Sequence, residues 1–302
     1  SPTSHNSQLS NGLENVILKL LEKQPYKRCQ TADEIISALA EEPTPVIRKL
    51  DLTVRNYLRL LNNEKEVFKK AVAAKLIENV IFPANFFKGY GPTLAEITKT
   101  GISFTTDPST NRLVYSAFSK TKGLVDLPYS SGSPVHPLEK SQFKSISQIQ
   151  DYVKEVIVFQ IQHGVNELAA PFFYTKNTND GWYEINLKLL KESVEYRDKH
   201  HAKLPVLGAI CMSVETWHDP AEKQKVLNDL VKIPVDGYFA YGDPISSSSN
   251  LTQLFHYADL LLTLQSNTKA PVVACRVNGF GMILLAFGLS GISSGVGSLD
   301  SF

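Results

Sequence analysis

The sequence is poor in the residues that cross-link small folds or cluster around metals. Only three of its 302 residues are cysteine, and Cys29, Cys211 and Cys275 are widely spaced. This number and spacing exclude a disulfide framework and a zinc knuckle, and they are typical of a reducing compartment. No run of 18 apolar residues occurs and no charged-then-apolar leader opens the chain, so neither a membrane span nor a secretion signal is expected.

The chain also lacks an excess of charge of one sign. Lysine and arginine number 31 and aspartate and glutamate 30, which leaves a net charge of +1. Proteins that bind nucleic acid or anionic membranes usually carry a marked basic excess. We therefore expect a cytoplasmic protein whose partner is a small molecule and not a membrane or a nucleic acid.

What the chain does contain is enough apolar sequence for a large core. Apolar residues make up 43% and charged residues 20% of the sequence, a balance that excludes wholesale disorder. The length allows two ordinary domains, or one large domain with an extension.

The first 79 residues have helical periodicity throughout. Apolar residues recur at helical spacing from Leu13 to Leu21, and Thr31 with Glu34 forms the capping box of a second helix. Two further helices are predicted over 45–61 and 63–79. The sequence thus predicts an all-helical extension over 1–79, a helical hairpin followed by two helices, ahead of a second domain at 80–302.

Residues 13–42 of this extension resemble the last two helices of the C-lobe of bacterial Ser/Thr protein kinases. The matching residues are Leu20, Leu21, Lys23, Pro25, Arg28, Thr31, Ala32, Glu34, Ile35 and Leu39. The resemblance implies a structural, non-catalytic role for Arg28 and a kinase domain elsewhere in the same polypeptide. The alternative is an unrelated helical hairpin. The glycine-rich loop and the catalytic loop of kinases are absent from this sequence.

From Val80 onward, short apolar runs alternate with amphipathic helices. The predicted strands are 80–87, 101–107 (or 112–118), 123–128, 165–171, 205–211, 235–240, 271–276 and 290–294, and the longer helices are 146–163, 182–199, 219–231 and 250–266. Eight strands that alternate with helices predict an α/β fold, a (β/α)8 TIM-like barrel. An open doubly wound sheet is the alternative, but its glycine-rich phosphate turn does not follow the first of these strands.

In such a barrel the functional groups lie where the strands end and the following loops begin. Three aspartates occupy these positions, and as candidate catalytic bases or nucleophiles we identify Asp107, Asp126 and Asp243. The competing interpretation is a turn or helix cap, because proline follows both Asp107 and Asp243.

Seven other residues are candidates for substrate binding. Arg276 ends an apolar strand, so it is expected to meet either a substrate anion or an internal carboxylate, Asp126 or Asp243. Asn278 lies in a turn after this strand. The segment suited to phosphate contains Ser293, Ser294 and Gly295, and the predicted aromatic wall contains Tyr174 and Tyr241. A turn without ligand and packing under loops are the alternatives.

The remaining reactive side chains suggest no metal or cofactor. Cys211 and Cys275 stand among apolar strand residues, which is typical of core positions, and no histidine has the spacing of a zinc motif. The sequence leaves the cofactor unknown.

The barrel part is also distantly similar to tRNA-guanine transglycosylase-like barrels. The shared features are Asp126 in a turn, the PVVACR strand at 271–276 and a final strand of small residues. The zinc site and the basic RNA-binding face of that family are missing here. Three hypotheses follow: an enzyme that acts on a small anionic or aromatic, even phosphorylated, substrate; a nucleobase-handling relative of the transglycosylases; and a non-catalytic sensor or partner-binding barrel attached to a kinase.

Overall fold

The computed structural model of the chain describes residues 11–24, 26, 28, 31, 34, 54–59, 65–75, 77–99, 101–132, 135–243, 245, 249–277 and 279–295. The chain divides into two compact units, Ser1–Leu52 and Thr53–Phe302. This division differs from the predicted boundary after residue 79. No helix in the described ranges is both long and apolar enough to cross a lipid bilayer.

The first unit contains helix α1 (Asn11–Leu20), which buries Val16 and Ile17. Beyond it, the amide of Glu34 donates to the hydroxyl of Thr31 at 3.2 Å, which confirms Thr31 as a capping residue. Most of the predicted second helix and all of 45–53 lie outside the described residues.

The second unit is an eight-stranded parallel barrel with helices between successive strands, as the sequence predicts. Its elements, in chain order, are β1 (Arg55–Arg59), α2 (Lys65–Ala73), β2 (Asn79–Pro83), α3 (Phe87–Lys99), β3 (Ser103–Asp107), α4 (Ile146–Gln162), β4 (Leu168–Ala169), α5 (Gly181–His200), β5 (Val206–Ser213), α6 (Pro220–Leu230), β6 (Gly237–Asp243), α7 (Leu251–Thr268), β7 (Val272–Cys275), α8 (Phe280–Ala286) and β8 (Gly291–Gly295). The sheet order is β3-β2-β1-β8-β7-β6-β5-β4.

A single bridge between β3 and the start of β4 brings the two outer strands of this order together. Thr105 pairs with Glu167, and the Thr105 hydroxyl donates to the Glu167 carbonyl at 2.9 Å. Next to it, the amide of Phe104 donates to the side-chain oxygen of Asn166 at 2.9 Å. These bonds satisfy groups that an open sheet would leave at its edges, so the eight strands form a nearly closed ring.

Two of the sequence predictions for this unit are wrong. Residues 55–59 do not belong to a helix over 45–61 but form β1, which pairs with β2 and with β8. The apolar segment 123–128 is a series of turns, and the alternative strand 112–118 contains short 3-10 turns. Both lie in the long connection between β3 and α4, where apolar side chains such as Leu124 and Leu127 are buried without joining the sheet. The predicted helix over 63–79 is α2 and ends earlier, before β2.

Local capping residues begin two of the barrel helices. Ser145 and Gln148 form a capping box that begins α4, and Asp219 caps α6 with Pro220 at the first helical position. The interior of the barrel is filled by side chains at alternate strand positions. These interior residues are Tyr57, Ile81, Ala169, Phe172, Leu207, Cys211, Phe239, Tyr241, Val273 and Cys275.

Candidate functional site

Arg276 reaches the mouth of the barrel, the end where the strands terminate, through an unusual backbone conformation. Val273 and Cys275 of β7 face the interior, so simple alternation would direct the next residue outward. Instead Arg276 has a φ of 61°, its amide donates to the Ser293 carbonyl at 2.8 Å, and it is only 6% exposed. A non-glycine residue in this left-handed region costs about 1–2 kcal/mol, and such strain collects at functional sites.

The guanidinium of Arg276 faces Asp107 and an aromatic ring. Its Nη2 lies 3.8 Å from Oδ2 of Asp107, both side chains being buried, and its central carbon lies 5.5 Å from the centre of the Tyr241 ring. The sequence left open whether Arg276 meets a substrate or an internal carboxylate. Among the described residues its salt bridge is with Asp107, and not with Asp126 or Asp243 as the internal-pair alternative predicted.

Asp107 is fixed by the turn that follows β3. Its Oδ1 accepts a hydrogen bond from the amide of Ser109 at 2.9 Å, and the Ser109 hydroxyl donates to the Asn85 side-chain oxygen at 3.1 Å. Ser109 has a φ of 57°. Asp107 therefore does what the Asp-Pro dipeptide predicts, because it shapes a turn, and it also presents its second oxygen to Arg276.

Two further arginines approach the same carboxylate. Arg59 ends β1 and is 3% exposed, and Arg112 ends a 3-10 turn (Thr110–Arg112) in the connection after β3. Burial lowers the pKa of Arg112, Asp107 opposes this change, and the positive charges of Arg276 and Arg59 add to it. The four residues thus act on one another electrostatically. We call Arg59, Asp107, Arg112 and Arg276 the mouth cluster.

The sequence analysis missed Arg59 and Arg112. Arg59 lay in a segment interpreted as a helix, and Arg112 lay at the start of a segment considered as a strand. Residues 55–59 do not alternate between apolar and polar side chains, so the sequence held no clear strand signal for Arg59. No local pattern identifies Arg112, since it belongs to an irregular connection.

Asp243 and two tyrosines stand beside the mouth cluster. Burial, and after it the Asp243 carboxylate, raise the pKa of Tyr174 to about 12, while a hydrogen bond with Ser213 acts in the opposite direction. Burial also raises the pKa of Tyr115, with the Cys211 thiol and Asp243 contributing. Asp243 ends β6, where it pairs in register with Ser213. Both phenols therefore interact with Asp243.

Cys211 and Cys275 lie beneath these charges as protonated thiols. Burial raises the pKa of Cys275 to about 12, while Tyr241 and Arg276 act in the opposite direction. Burial raises the pKa of Cys211 as well; Arg276 lowers it, and both Asp107 and Asp243 raise it. The prediction that these cysteines are core residues is confirmed. Because one thiol responds to both aspartates, Asp107 and Asp243 belong to the same end of the barrel.

Tyr241 is an interior residue, not part of an exposed aromatic wall. Its ring stacks on Phe172, with 5.2 Å between centres and 16° between planes, and it is 2% exposed. Burial raises its pKa well above the ordinary value for tyrosine. Tyr241 therefore supports Arg276 from below, whereas the half-buried Tyr174 is the aromatic residue near solvent.

The final strand brings one serine to the interior. Ser293 pairs in register with Tyr57 and Cys275, and its buried hydroxyl has no hydrogen-bond partner among the described residues. Ser294 occupies the alternate strand position, and Gly295 is the last residue of β8. Asn278 and residues 296–302 lie outside the described part of the chain, so the predicted Gly-Ser turn is only partly seen, as strand.

Asp126 is not brought to Arg276. Its carboxylate pairs with Lys88 at 2.6 Å and is 33% exposed. It lies in the turns after Gly123, whose close approach to the Asn85 backbone ties this connection to the end of β2. Of the three candidate aspartates, the structure places Asp107 and Asp243 at the mouth and Asp126 in a surface ion pair.

Within the described residues, no group of three or more histidine, cysteine, aspartate or glutamate side chains is placed to hold a metal ion. The donors of the mouth cluster are mainly guanidinium groups, which bind anions and not cations. This end of the barrel therefore brings three guanidinium groups together beside one buried carboxylate.

Comparison with known proteins gives one weak structural similarity to report. A crystal structure of a protein from Burkholderia cenocepacia J2315, provisionally named a lyase/mutase, is similar to this chain with a TM-score of 0.43 and 10% identity, over 79% of this chain and 75% of that one. No family model and no curated protein matches the chain, so the kinase-tail and transglycosylase resemblances stay predictions. The strand order of the chain itself establishes the (β/α)8 barrel.

Proposed function

We propose that this barrel is an enzyme that binds the anionic group of a small substrate, a phosphate or a carboxylate, within the mouth cluster. Arg59, Arg112 and Arg276 are the binding groups, and Asp107 positions them. The observation that carries the proposal is the left-handed backbone of Arg276, which turns a charged side chain into the barrel.

Electrostatics favours an anion at this place. The charges of Arg59 and Arg276 lower the pKa of the Arg112 guanidinium, which means that the three cations repel one another at close range. A bound phosphate or carboxylate would relieve this repulsion in a partly desolvated site, where charge-assisted hydrogen bonds are strong. The planar guanidinium fork suits these oxyanions better than a lysine would. The buried hydroxyl of Ser293 offers a further donor.

Asp243 is the group that we assign to acid–base chemistry. It ends a strand at the mouth, is half-buried, and is separate from the buried pair of Asp107 and Arg276. A carboxylate beside the site of a bound anion can accept a proton from the neighbouring part of the substrate. Tyr174, near Asp243, would contact the non-ionic part of the substrate.

Anion binding is tested by calorimetric titration with inorganic phosphate and with malonate. We expect saturable binding to the wild-type protein and a loss of about tenfold or more in affinity for Arg112→Ala, since one charge-assisted hydrogen bond contributes about 1.5–3 kcal/mol. Lys88→Ala, which removes a positive charge from the surface pair with Asp126, is the matched control and should bind as the wild type does. Equal affinity for both variants would overturn the proposal.

Catalysis is tested separately by incubating the protein with a pool of phosphorylated metabolites, carboxylated metabolites and free nucleobases and following their masses. An enzyme should convert at least one of them, and Asp243→Asn should abolish this conversion while phosphate binding is retained. Phosphate binding without any conversion would instead favour the sensor hypothesis. Conversion confined to a free nucleobase would favour the transglycosylase-like alternative.

A further inference from the structure

A second polar concavity lies outside the mouth, between the connection that precedes α4 and α4 itself. This cleft has a volume of about 360 Å³, and none of the mouth cluster contributes to its wall. Its apolar floor is formed by Tyr129, Leu138 and Phe143, all of them buried. Polar side chains surround this floor, among them Asp151 and Glu155.

The two carboxylates form a like-charge pair on one face of α4. Asp151 and Glu155 are four residues apart, so they are neighbours on the helix surface and repel each other. Desolvation raises the pKa of Glu155, and the Asp151 charge raises it further. The Ser147 hydroxyl donates to Asp151 at 3.5 Å, but neither carboxylate has a salt bridge to a described lysine or arginine.

The hydroxyl of Tyr152 is a second and independent feature of the cleft. Tyr152 is 9% exposed, and its buried hydroxyl has no hydrogen-bond partner among the described residues. Tyr152 lines the cleft. Burial raises its pKa well above the ordinary value, and the charge of Glu155 adds to this. Tyr129 shows the contrast, because its own hydroxyl donates to the Pro108 carbonyl at 2.9 Å.

Aromatic rings hold Tyr152 in place. Its ring meets the edge of Phe143 at 5.1 Å and of Tyr129 at 6.1 Å between centres. A buried hydroxyl without a partner costs about 1–3 kcal/mol, and native structures usually satisfy such groups. A ligand with N–H donors would satisfy it and would neutralise both carboxylates.

We propose that this cleft binds the ammonium or guanidinium group of a small cationic molecule. The cation would donate hydrogen bonds to Asp151 and Glu155 and to the phenolic oxygen of Tyr152, and it would rest on the aromatic floor, which attracts cations. The volume lies at the lower end of the range for small-molecule sites, and it limits the ligand to a short amine. This site is separate from the anion site at the mouth.

The probe is agmatine, which carries both an ammonium and a guanidinium group, with 1-butanol as the neutral comparison. Titration followed by amide NMR of the full chain should show saturable shifts in 128–155 for agmatine and none for 1-butanol. We expect Glu155→Gln and Asp151→Asn each to weaken binding about tenfold, because each removes one charge-assisted contact. Glu195→Gln, a charge removal on α5 away from the cleft, should leave the affinity unchanged.

Tyr152→Phe separates a ligand contact from a packing role. Because the variant removes a hydroxyl that has no described partner, we expect it to fold at least as well as the wild type and to bind agmatine several-fold more weakly. No saturable binding to the wild type, or unchanged affinity in both Glu155→Gln and Tyr152→Phe, would overturn the proposal. Tighter binding of a capped Gly-Arg-Gly peptide than of agmatine would also overturn it, since the cation would then come from a polypeptide. Phosphate titration of the same samples reports on the mouth independently.

Discussion

Arg276 and Asp107 face each other across the mouth of the barrel, with 3.8 Å between Nη2 and Oδ2, although they come from β7 and β3 on different sides of the ring. Alternation along β7 would have turned Arg276 outward, and only its φ of 61° brings it to this position. The pair is buried, so each charge depends on the other and on the two neighbouring arginines. This relationship leads directly to two predictions.

Two replacements of Arg276 should distinguish the effect of its charge on anion binding from the effect of its backbone strain on stability. Arg276→Gly and Arg276→Ala both remove the guanidinium, so both should lose phosphate affinity about tenfold or more. Only glycine accepts a φ of 61° without strain. We therefore expect the glycine variant to be more stable than the alanine variant by about 1 kcal/mol in the free energy of unfolding, measured by urea titration. Equal stability of the two variants would contradict the role given to the left-handed conformation.

Asp107→Asn should make the stability of the barrel depend on added anions. The substitution removes the carboxylate that faces three guanidinium groups, and loss of one partner of a buried ion pair costs about 3–5 kcal/mol. Phosphate should restore part of this loss, because binding to the native state stabilises it by mass action. The measurement is the melting temperature of variant and wild type with increasing phosphate at constant ionic strength. A larger phosphate-induced rise in the wild type would count against the model.

Alkaline pH should destabilise the fold through Tyr57 and Glu167, which lie toward the end of the barrel opposite the mouth. The Tyr57 hydroxyl donates to Glu167 at 2.6 Å, and Arg55 pairs with the same carboxylate at 2.9 Å. Burial first, and then the Glu167 charge, raises the pKa of Tyr57 in the folded state. The contribution of protonated Tyr57 to the free energy of unfolding is therefore complete below pH 10, since the pKa of tyrosine in the unfolded chain is about 10. This contribution is lost as the pH rises above that value.

We expect the free energy of unfolding of the wild type to fall above pH 10 more steeply than that of Tyr57→Phe, by about 1.4 kcal/mol per pH unit for this one proton. At neutral pH we expect the variant to be less stable than the wild type, because Glu167 loses a hydrogen bond. Urea titrations at several pH values measure both effects. Parallel alkaline slopes would show that Tyr57 does not retain its proton in the folded state.

Gly123 should be required for the connection between β3 and α4 to reach the end of β2. A β-carbon at this position would lie 1.8 Å from the Asn85 carbonyl oxygen, and its φ is 87°. Gly132 has a similar φ of 95° but open space around it, so it reports the backbone strain alone. We expect Gly132→Ala to cost about 1 kcal/mol and Gly123→Ala distinctly more, by urea unfolding. Equal costs would show that the contact with Asn85 relaxes freely.

The sequence predicted most of the barrel because most strands from β2 onward lie in apolar runs that alternate with helix signals. The first strand was missed because Arg55 and Arg59 interrupt its apolar character, although both positions face the ring. The segment 123–128 was misassigned for the opposite reason, since its apolar side chains are buried by turns and not by strand pairing. Hydrophobic periodicity indicates which side chains are buried, but it does not show whether they belong to a strand or to a series of turns.

The candidate site was predicted only where position in a strand was informative. Strand ends pointed to Asp107, Asp243 and Arg276, and the structure places all three at the mouth. The same rule selected Asp126, which pairs instead with Lys88, because the strand assumed before it does not exist. Arg59 could not be chosen without knowing that its segment pairs with β8, and Arg112 lies in an irregular connection without a local pattern.

The order of apolar runs and helix caps in the chain itself determined that strands and helices alternate, because burial periodicity and capping are local properties. The tertiary structure decided that residues 59, 107, 112 and 276 share one space. Ring closure depends on pairing between segments that are far apart in the chain, and the orientation of Arg276 depends on a backbone angle that only the packed barrel maintains.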